Sequence, residues 1–312
     1  MRVGLLGLGR IGAFHAATLA AHPLVDELVV ADPVRTSPHG RPGDPFDADA
    51  VVIATPTSTH AELLIEACRR GVPAFCEKPA AVGVKETLEV LAASRGNRVR
   101  IGFQRRFDAG YVRAAAALRA GELGELHRVH LVTADPAPPP ATYIPLSGGI
   151  YRDCHIHDFD ILRWVTGREV DWVYAAGANR GARFFQEAGD VDNSAALLGL
   201  DDGTLVTLQG SRYNGAGYDV RMELAGTEGT QVVGLGPRAP LRSTDGLQPP
   251  DEPWPDFVTR FQQAYVDEID GFLRDDPRLC SVEEALAALY VAEAADLSRR
   301  EGRPVPVAEV RA

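Results

Sequence analysis

Gly7-Leu8-Gly9-Arg10-Ile11-Gly12 stands between a short apolar run, Arg2–Leu6, and a segment of helical composition over 11–21. Three glycines at that spacing, after a strand and opening a helix, leave few folds available. The first permits a tight turn, the second lets a phosphate approach the main chain, and the third lets helix and strand pack closely. The helix N-terminus then offers N–H groups and positive dipole to an anion. A second apolar run, 28–31, ends in Asp32, 20 residues beyond Gly12, where a carboxylate takes ribose hydroxyls. The pattern predicts a dinucleotide turn in which Gly7, Gly9, Arg10, Ile11, Gly12 and Asp32 hold the cofactor. Asp32 favours NAD over NADP because its charge repels a 2′-phosphate; Arg35, close by, weakens that preference.

Further apolar runs follow at 50–54, 72–76 and 99–103, alternating with helical segments that run to about 70 and over 84–94. Ser58 or Thr59 can cap the first of these helices and Gly71 can stop it. Apolar strands alternating with helices mean a parallel sheet covered on both faces. The character changes after Gly121. Asp135-Pro136-Ala137-Pro138-Pro139-Pro140 excludes regular structure, and strand-like segments recur near 169–178, 191–200, 203–212, 217–225 and 229–234. Turns at Asp201-Asp202-Gly203 and Gly226-Thr227-Glu228-Gly229 join them as hairpins, and two helices, about 257–274 and 281–300, close the chain. The expected fold is α/β: a Rossmann doubly wound parallel sheet over 1–120, then an α/β domain with a large, open, mostly antiparallel sheet over 121–312.

Asp153 and His157 lie four residues apart in a segment that reads as one helix, so they share a face. A carboxylate beside an imidazole fixes its tautomer and stabilises its cation, which makes a general base near neutral pH. Such a base and a redox cofactor in one chain point to dehydrogenation of an alcohol. His155 reads as structural. A metal at Asp153, His155, His157 and Asp158 is not expected, because two positions along a helix turns a side chain through about 200°. The four cysteines, Cys68, Cys76, Cys154 and Cys280, are scattered, as reduced thiols of a cytoplasmic protein would be. A net charge of -11 without a basic run argues against nucleic acid. No apolar stretch reaches the roughly 20 residues of a membrane span.

With these motifs in place the chain resembles the Gfo/Idh/MocA family of oxidoreductases. The resemblance rests on GLGRIG at 7–12, ATPTSTHAE at 54–62, CEKP at 76–79, GFQRRFDAGY at 102–111 and DPAPPP at 135–140. It continues in SGGIYRDCHIHDFDILRW at 147–164, GYDVRMELAGTEG at 217–229 and RFQQAYVDEIDGF at 260–272. Within the family the pattern is most like inositol 2-dehydrogenases. The resemblance implies a catalytic set of Lys78, Asp153 and His157, with Glu77 beside the nicotinamide ribose, Pro79 in cis, and Thr55, Pro56 and His60 flanking the cofactor. It also implies that Arg105 meets the substrate. Asp135 and Tyr213 are further substrate candidates. The resemblance implies a homodimer or homotetramer that uses the second domain's sheet.

One interval departs from the family. Between Asp32 and Val51 the 18 residues 33–50 are rich in Pro and Gly, so an outer crossover element of the Rossmann half is expected to be missing. The expected function is NAD-dependent oxidation of a secondary hydroxyl on a cyclic polyol, myo-inositol or a sugar-like compound. His157 would act as base, Asp153 would orient it, and Lys78 would assist. Two alternatives remain: a redox-neutral glycoside-processing enzyme with bound NAD, and a non-catalytic NAD-binding sensor.

Overall fold

The structure, a computed structural model, describes residues 1–245 and 251–311. It comprises two units, Met1–Phe107 with Gln263–Leu289, and Asp108–Gln262 with Tyr290–Ala312. The first unit is therefore discontinuous in sequence, which a single boundary at 120/121 does not express.

In chain order, β1 (Arg2–Leu6) leads through the glycine turn into α1 (Arg10–Ala20), β2 (Glu27–Ala31) and β3 (Arg41–Pro42). β4 (Ala50–Ile53) runs through a 3-10 turn at Thr57–Thr59 into α2 (His60–Arg70). β5 (Ala74–Glu77), α3 (Val84–Ala93) and β6 (Val99–Gly102) complete the first pass. All neighbouring strands are parallel, in the order β3-β2-β1-β4-β5-β6. Val3, Leu5, Val29, Val52 and Phe75 are fully buried, which is why these strands read as unbroken apolar runs. The order reverses between β1 and β4, so the loops after these two strands frame the crevice where such sheets take ligands.

The 33–50 interval has lost less than expected. Arg41 and Pro42 still pair in parallel with Val29 and Val30, so the outer strand survives as a two-residue stub. Residues 32–40, between β2 and β3, form no helix. Gly40 makes the tight approach possible: its φ is +83°, and a Cβ there would lie 2.8 Å from the Leu28 carbonyl oxygen.

The second unit begins with α4 (Ala109–Arg119), capped by the Asp108 carboxylate accepting from the Gly110 and Tyr111 amides. β7 (Leu126–Ala134), α5 (Ile150–Asp153), α6 (Ile156–Thr166), β8 (Val170–Ala178) and α7 (Arg183–Glu187) follow. Then come β9 (Asn193–Leu200), β10 (Leu205–Ser211), β11 (Asp219–Gly226) and β12 (Thr230–Val233). The chain ends through α8 (Phe257–Arg260), α9 (Gln262–Arg274), α10 (Val282–Glu301) and β13 (Val305–Pro306). The sheet runs β12-β11-β7-β10-β9-β8-β13, antiparallel except for the central β7–β10 pair. Along β10, Val206, Leu208 and Gly210 face inward while Leu205, Thr207 and Gln209 are exposed, the alternation of a sheet covered on one face.

The expected helix over 257–274 is two helices, because Phe261 leaves helical geometry with φ −111° and ψ 18°. α9 returns to the first unit for aromatic reasons. Tyr265 packs edge-on to Phe14 at 5.8 Å and to His15 at 6.2 Å, and Phe272 meets Phe75 at 5.7 Å. His22 adds a hydrogen bond from Nε2 to Asp270 at 2.9 Å. Among the described residues no helix is long and apolar enough to cross a membrane, and no group of three or more His, Cys, Asp or Glu is placed to hold a metal ion. None of the four cysteines forms a disulfide among the described residues.

Candidate active site

In the first unit the glycine turn has the shape its spacing predicts. A Cβ on Gly7 would lie 2.5 Å from the Ala54 carbonyl oxygen, and one on Gly12 would lie 2.1 Å from the Gly7 carbonyl oxygen. Both are main-chain contacts that cannot swing away. Gly9 differs, since its Cβ position meets nothing nearer than the Arg35 guanidinium at 3.6 Å. No side chain caps α1 at Gly9, and its first turn has no acidic residue. A bare, uncapped helix start beside a cleft of about 520 Å³, lined by Gly7, Leu8, Asp32, Arg35, Ser37 and Thr55, fits a dinucleotide. Gly12→Ala should open the turn and lower NAD affinity about tenfold or more, read by calorimetric titration. Wild-type affinity in that variant would mean that the turn does not seat the cofactor.

Asp32 is more occupied than a plain ribose ligand. Its Oδ2 accepts from the Leu8 amide at 2.7 Å, and its Oδ1 accepts from the Val34 and Arg35 amides, both at 2.8 Å. The Leu8 amide, then those of Val34 and Arg35, hold its carboxyl below the usual range. Three of about four acceptor positions are thereby used to tie the end of β2 to the glycine turn, leaving one for a hydroxyl. Arg35 is exposed but anchored, its Nη1 donating to the Leu8 carbonyl at 3.2 Å. Arg10 is exposed and Ile11 half-buried at the same helix start.

The loop after β4 is tied by its own side chains. Thr59 donates its hydroxyl to the Pro56 carbonyl at 2.9 Å and so accepts from Thr55 at 2.7 Å. The expected side-chain cap by Thr59 is therefore not made. His60 is 1% exposed, with Nε2 2.9 Å from the Thr55 carbonyl and Nδ1 2.7 Å from the Pro79 carbonyl. Its ring joins these two loops. Lys78, half-buried, precedes the cis Lys78–Pro79 bond. Glu77 accepts at 2.7 Å from Nε2 of the fully buried His15. His15 was legible in principle: it falls with Gly12, Ala16 and Leu19 on the buried stripe of α1, and a polar residue there requires a partner. Arg105 lies in a 3-10 turn after β6 and is 2% exposed.

In the second unit Asp153 and His157 do not share one helix, contrary to expectation. α5 ends at Asp153 and α6 begins at Ile156. The ladder breaks because the His155 amide bonds back to the Ile150 carbonyl and the next helix restarts with Phe159 bonding to His155. The cause is the His155 side chain, which is drawn inward. Its Nδ1 is 2.7 Å from Asp158 and its Nε2 is 2.7 Å from the Ser194 hydroxyl, while Thr133 donates to the other Asp158 oxygen at 2.8 Å. His155 and Asp158 are fully buried. Gly210 leaves the space, since a Cβ there would sit 2.3 Å from His155 Nε2.

Asp153, with its side chain 12% exposed, accepts from Arg212 Nη2 at 2.7 Å on one oxygen and from the Tyr143 hydroxyl at 2.9 Å on the other. Asp135 faces the same guanidinium with one of its oxygens. Its Oδ2 takes Arg212 Nη1 at 3.3 Å, with the Cys154 thiol at 3.7 Å. Burial pushes the Asp135 carboxyl up, opposed by Arg212. Burial, then Asp153, raises the Tyr143 phenol. His157 is half-buried in the first turn of α6. Tyr213 accepts from the Ala182 amide at 3.1 Å and remains 38% exposed. Sequence reasoning missed Arg212 and Tyr143. The available signal was parity: Arg212 continues the inward-facing series of Val206, Leu208 and Gly210, where a charge must meet a carboxylate.

A Rossmann unit with a bare, uncapped phosphate turn, followed by a mixed-sheet unit that holds a donor-clamped carboxylate, defines a dinucleotide-dependent oxidoreductase. Two family models match, the Gfo/Idh/MocA C-terminal domain over residues 111–232 and the oxidoreductase family's NAD-binding Rossmann fold over 33–104. The inositol 2-dehydrogenase of Rhizobium meliloti is 34% identical, covering 99% of both chains. A putative myo-inositol dehydrogenase structure from Sinorhizobium meliloti superposes with a TM-score of 0.88 at 33% identity, covering 98% of this chain and 99% of that one. The Lactobacillus casei scyllo-inositol dehydrogenase, solved with NAD(H) and scyllo-inositol, superposes at 0.85 with 27% identity, covering 99% of each. The chain belongs to the Gfo/Idh/MocA family and is an NAD-dependent dehydrogenase.

Proposed function

We propose that this protein oxidises a secondary hydroxyl of a cyclic polyol, an inositol or a sugar-like relative. The reading is carried by the similarity to inositol 2-dehydrogenases, which spans 99% of the chain and so includes Lys78, Asp153 and His157 together. NAD supplies the hydride acceptor. His157 takes the hydroxyl proton. Asp153, held by its donors Arg212 and Tyr143, stabilises the imidazolium that results, and a positioned base of this kind supplies about 10²–10⁴-fold. Lys78 hydrogen-bonds the reacting oxygen and holds negative charge as it develops. Gly7, Gly9, Gly12 and Asp32 seat the cofactor. Arg105 and Tyr213 are proposed at the substrate, on motif position for the first and on exposure for the second.

The test is NADH formation by the purified protein with NAD or NADP and a panel of inositol stereoisomers and sugars. Turnover of one cyclic polyol with NAD is expected. Tight NAD binding with silence across the panel would overturn the reading. The outward face of the second unit's sheet exposes Tyr174, Leu197 and Leu205, with Tyr174 and Leu197 directly paired across β8 and β9. Such a face suits self-association as a homodimer or homotetramer. Light scattering should return an even multiple of the 33.5 kDa chain.

A further inference from the structure

Asp153 ends a helix of one turn, and the next two residues, Cys154 and His155, belong to neither α5 nor α6 although both keep right-handed backbone angles. Its two donors come from elsewhere, Arg212 59 positions away and Tyr143 ten positions away. Arg212 is 3% exposed, and a guanidinium is charged at every accessible pH, so its burial is tolerable only against carboxylates. Two face it, Asp153 at 2.7 Å and Asp135 at 3.3 Å, and the shorter bond is to Asp153.

We propose that Arg212 is a positioning residue for the dehydrogenation, holding Asp153 as an oriented carboxylate, with Tyr143 fixing its second oxygen. The inference rests on the reading of His157 as the base and Asp153 as its partner. Each carboxylate oxygen carries a second lone pair, so both donors leave Asp153 able to accept from an imidazole. The planar fork spans two carboxylates at once, which a lysine ammonium cannot do with the same geometry. Asp135 is the second anchor that keeps the fork from rotating. With all three groups charged the set carries one excess negative charge, the sign that favours an imidazolium nearby.

The test compares wild type, Arg212→Met, Arg212→Lys, Tyr143→Phe and His157→Ala, using NAD with myo-inositol and scyllo-inositol. NAD affinity, KM, kcat and the pH profile of kcat/KM are measured for each. Arg212→Met should leave NAD affinity unchanged and lower kcat about 10- to 100-fold, part of what a positioned base supplies. Its acid limb should move to higher pH, because removing a cation favours the protonated base. A merely structural role would not move that limb. Arg212→Lys should restore the limb while recovering kcat only in part, and Tyr143→Phe should lower kcat several-fold. An inactive His157→Ala beside an Arg212→Met protein of wild-type kcat and pH profile would overturn the proposal. An active His157→Ala would instead remove the reading beneath it, a separate result. If Arg212→Met does not fold, wild-type kcat in both Arg212→Lys and Tyr143→Phe overturns the proposal.

Discussion

His157→Ala should bind NAD as wild type does and oxidise its polyol about 10²–10⁴-fold more slowly. The expectation follows from where the side chain sits. His157 lies in the first turn of α6 and follows the helix break, so its removal takes away the proposed proton acceptor, while the glycine turn belongs to the other unit. Lys78→Ala should produce a fall in kcat of the same order by removing the charge that meets the reacting oxygen, worth roughly 10²-fold or more. Asp153→Asn keeps the shape but loses the charge, and Arg212 is then buried against Asp135 alone. Rates are read as NADH formation and affinities by titration. A His157→Ala protein that retains more than half of the wild-type kcat would eliminate His157 as the base.

His155→Leu should destabilise the second unit by about 3–5 kcal/mol, the usual consequence of stranding one partner of a buried pair. Asp158 would lose its 2.7 Å contact with the imidazole, inside a site with no exposure, while Thr133 still donates to its other oxygen. The signature that separates this from a simple packing loss is the double variant. Replacing Asp158 as well, in His155→Leu/Asp158→Leu, removes the stranded charge, so the pair should cost less than the single substitution. Urea denaturation of the two proteins measures the difference. A His155→Leu protein within about 1 kcal/mol of wild type would show that this network does not hold the helix junction in place. Because His155 sets the break between α5 and α6, its loss should also lower kcat through the displaced His157.

Both predictions concern residues that a sequence reading treats unequally. Spacing and residue type single out Asp153 and His157 as candidates, yet a shared helix face is not how the chain arranges them. The break between them is produced by His155, whose ring is captured by Asp158 three residues ahead and Ser194 thirty-nine residues ahead. The first of those contacts is local and could have been guessed. The second depends on which strand lies beneath the helix. Asp135 illustrates the same limit, since nothing in an acidic residue before a proline run shows that Arg212 faces it. The 33–50 interval was legible in composition, and its prolines do exclude a helix. That two residues still pair with β2 was not legible, because two residues carry no period.

What the sequence determined by itself is whatever depends on neighbours within a turn or two. The glycine spacing set the dinucleotide turn, since a Cβ at Gly7 or Gly12 meets main chain belonging to the same βα unit or the adjacent strand. Apolar runs between helical segments set a parallel sheet, and the turns at 201–203 and 226–229 set the hairpins of the second unit. Only the tertiary structure decided which side chains complete the candidate site. Arg212 reaches Asp153 through the register of β10 beside β7 and β9, and His15 reaches Glu77 because α1 packs near the end of β5. The physical reason is that a buried charge takes its partner from whatever strand or helix the sheet brings alongside. Sequence distance carries no information about that partner, whereas a backbone turn is fixed by the residues that make it.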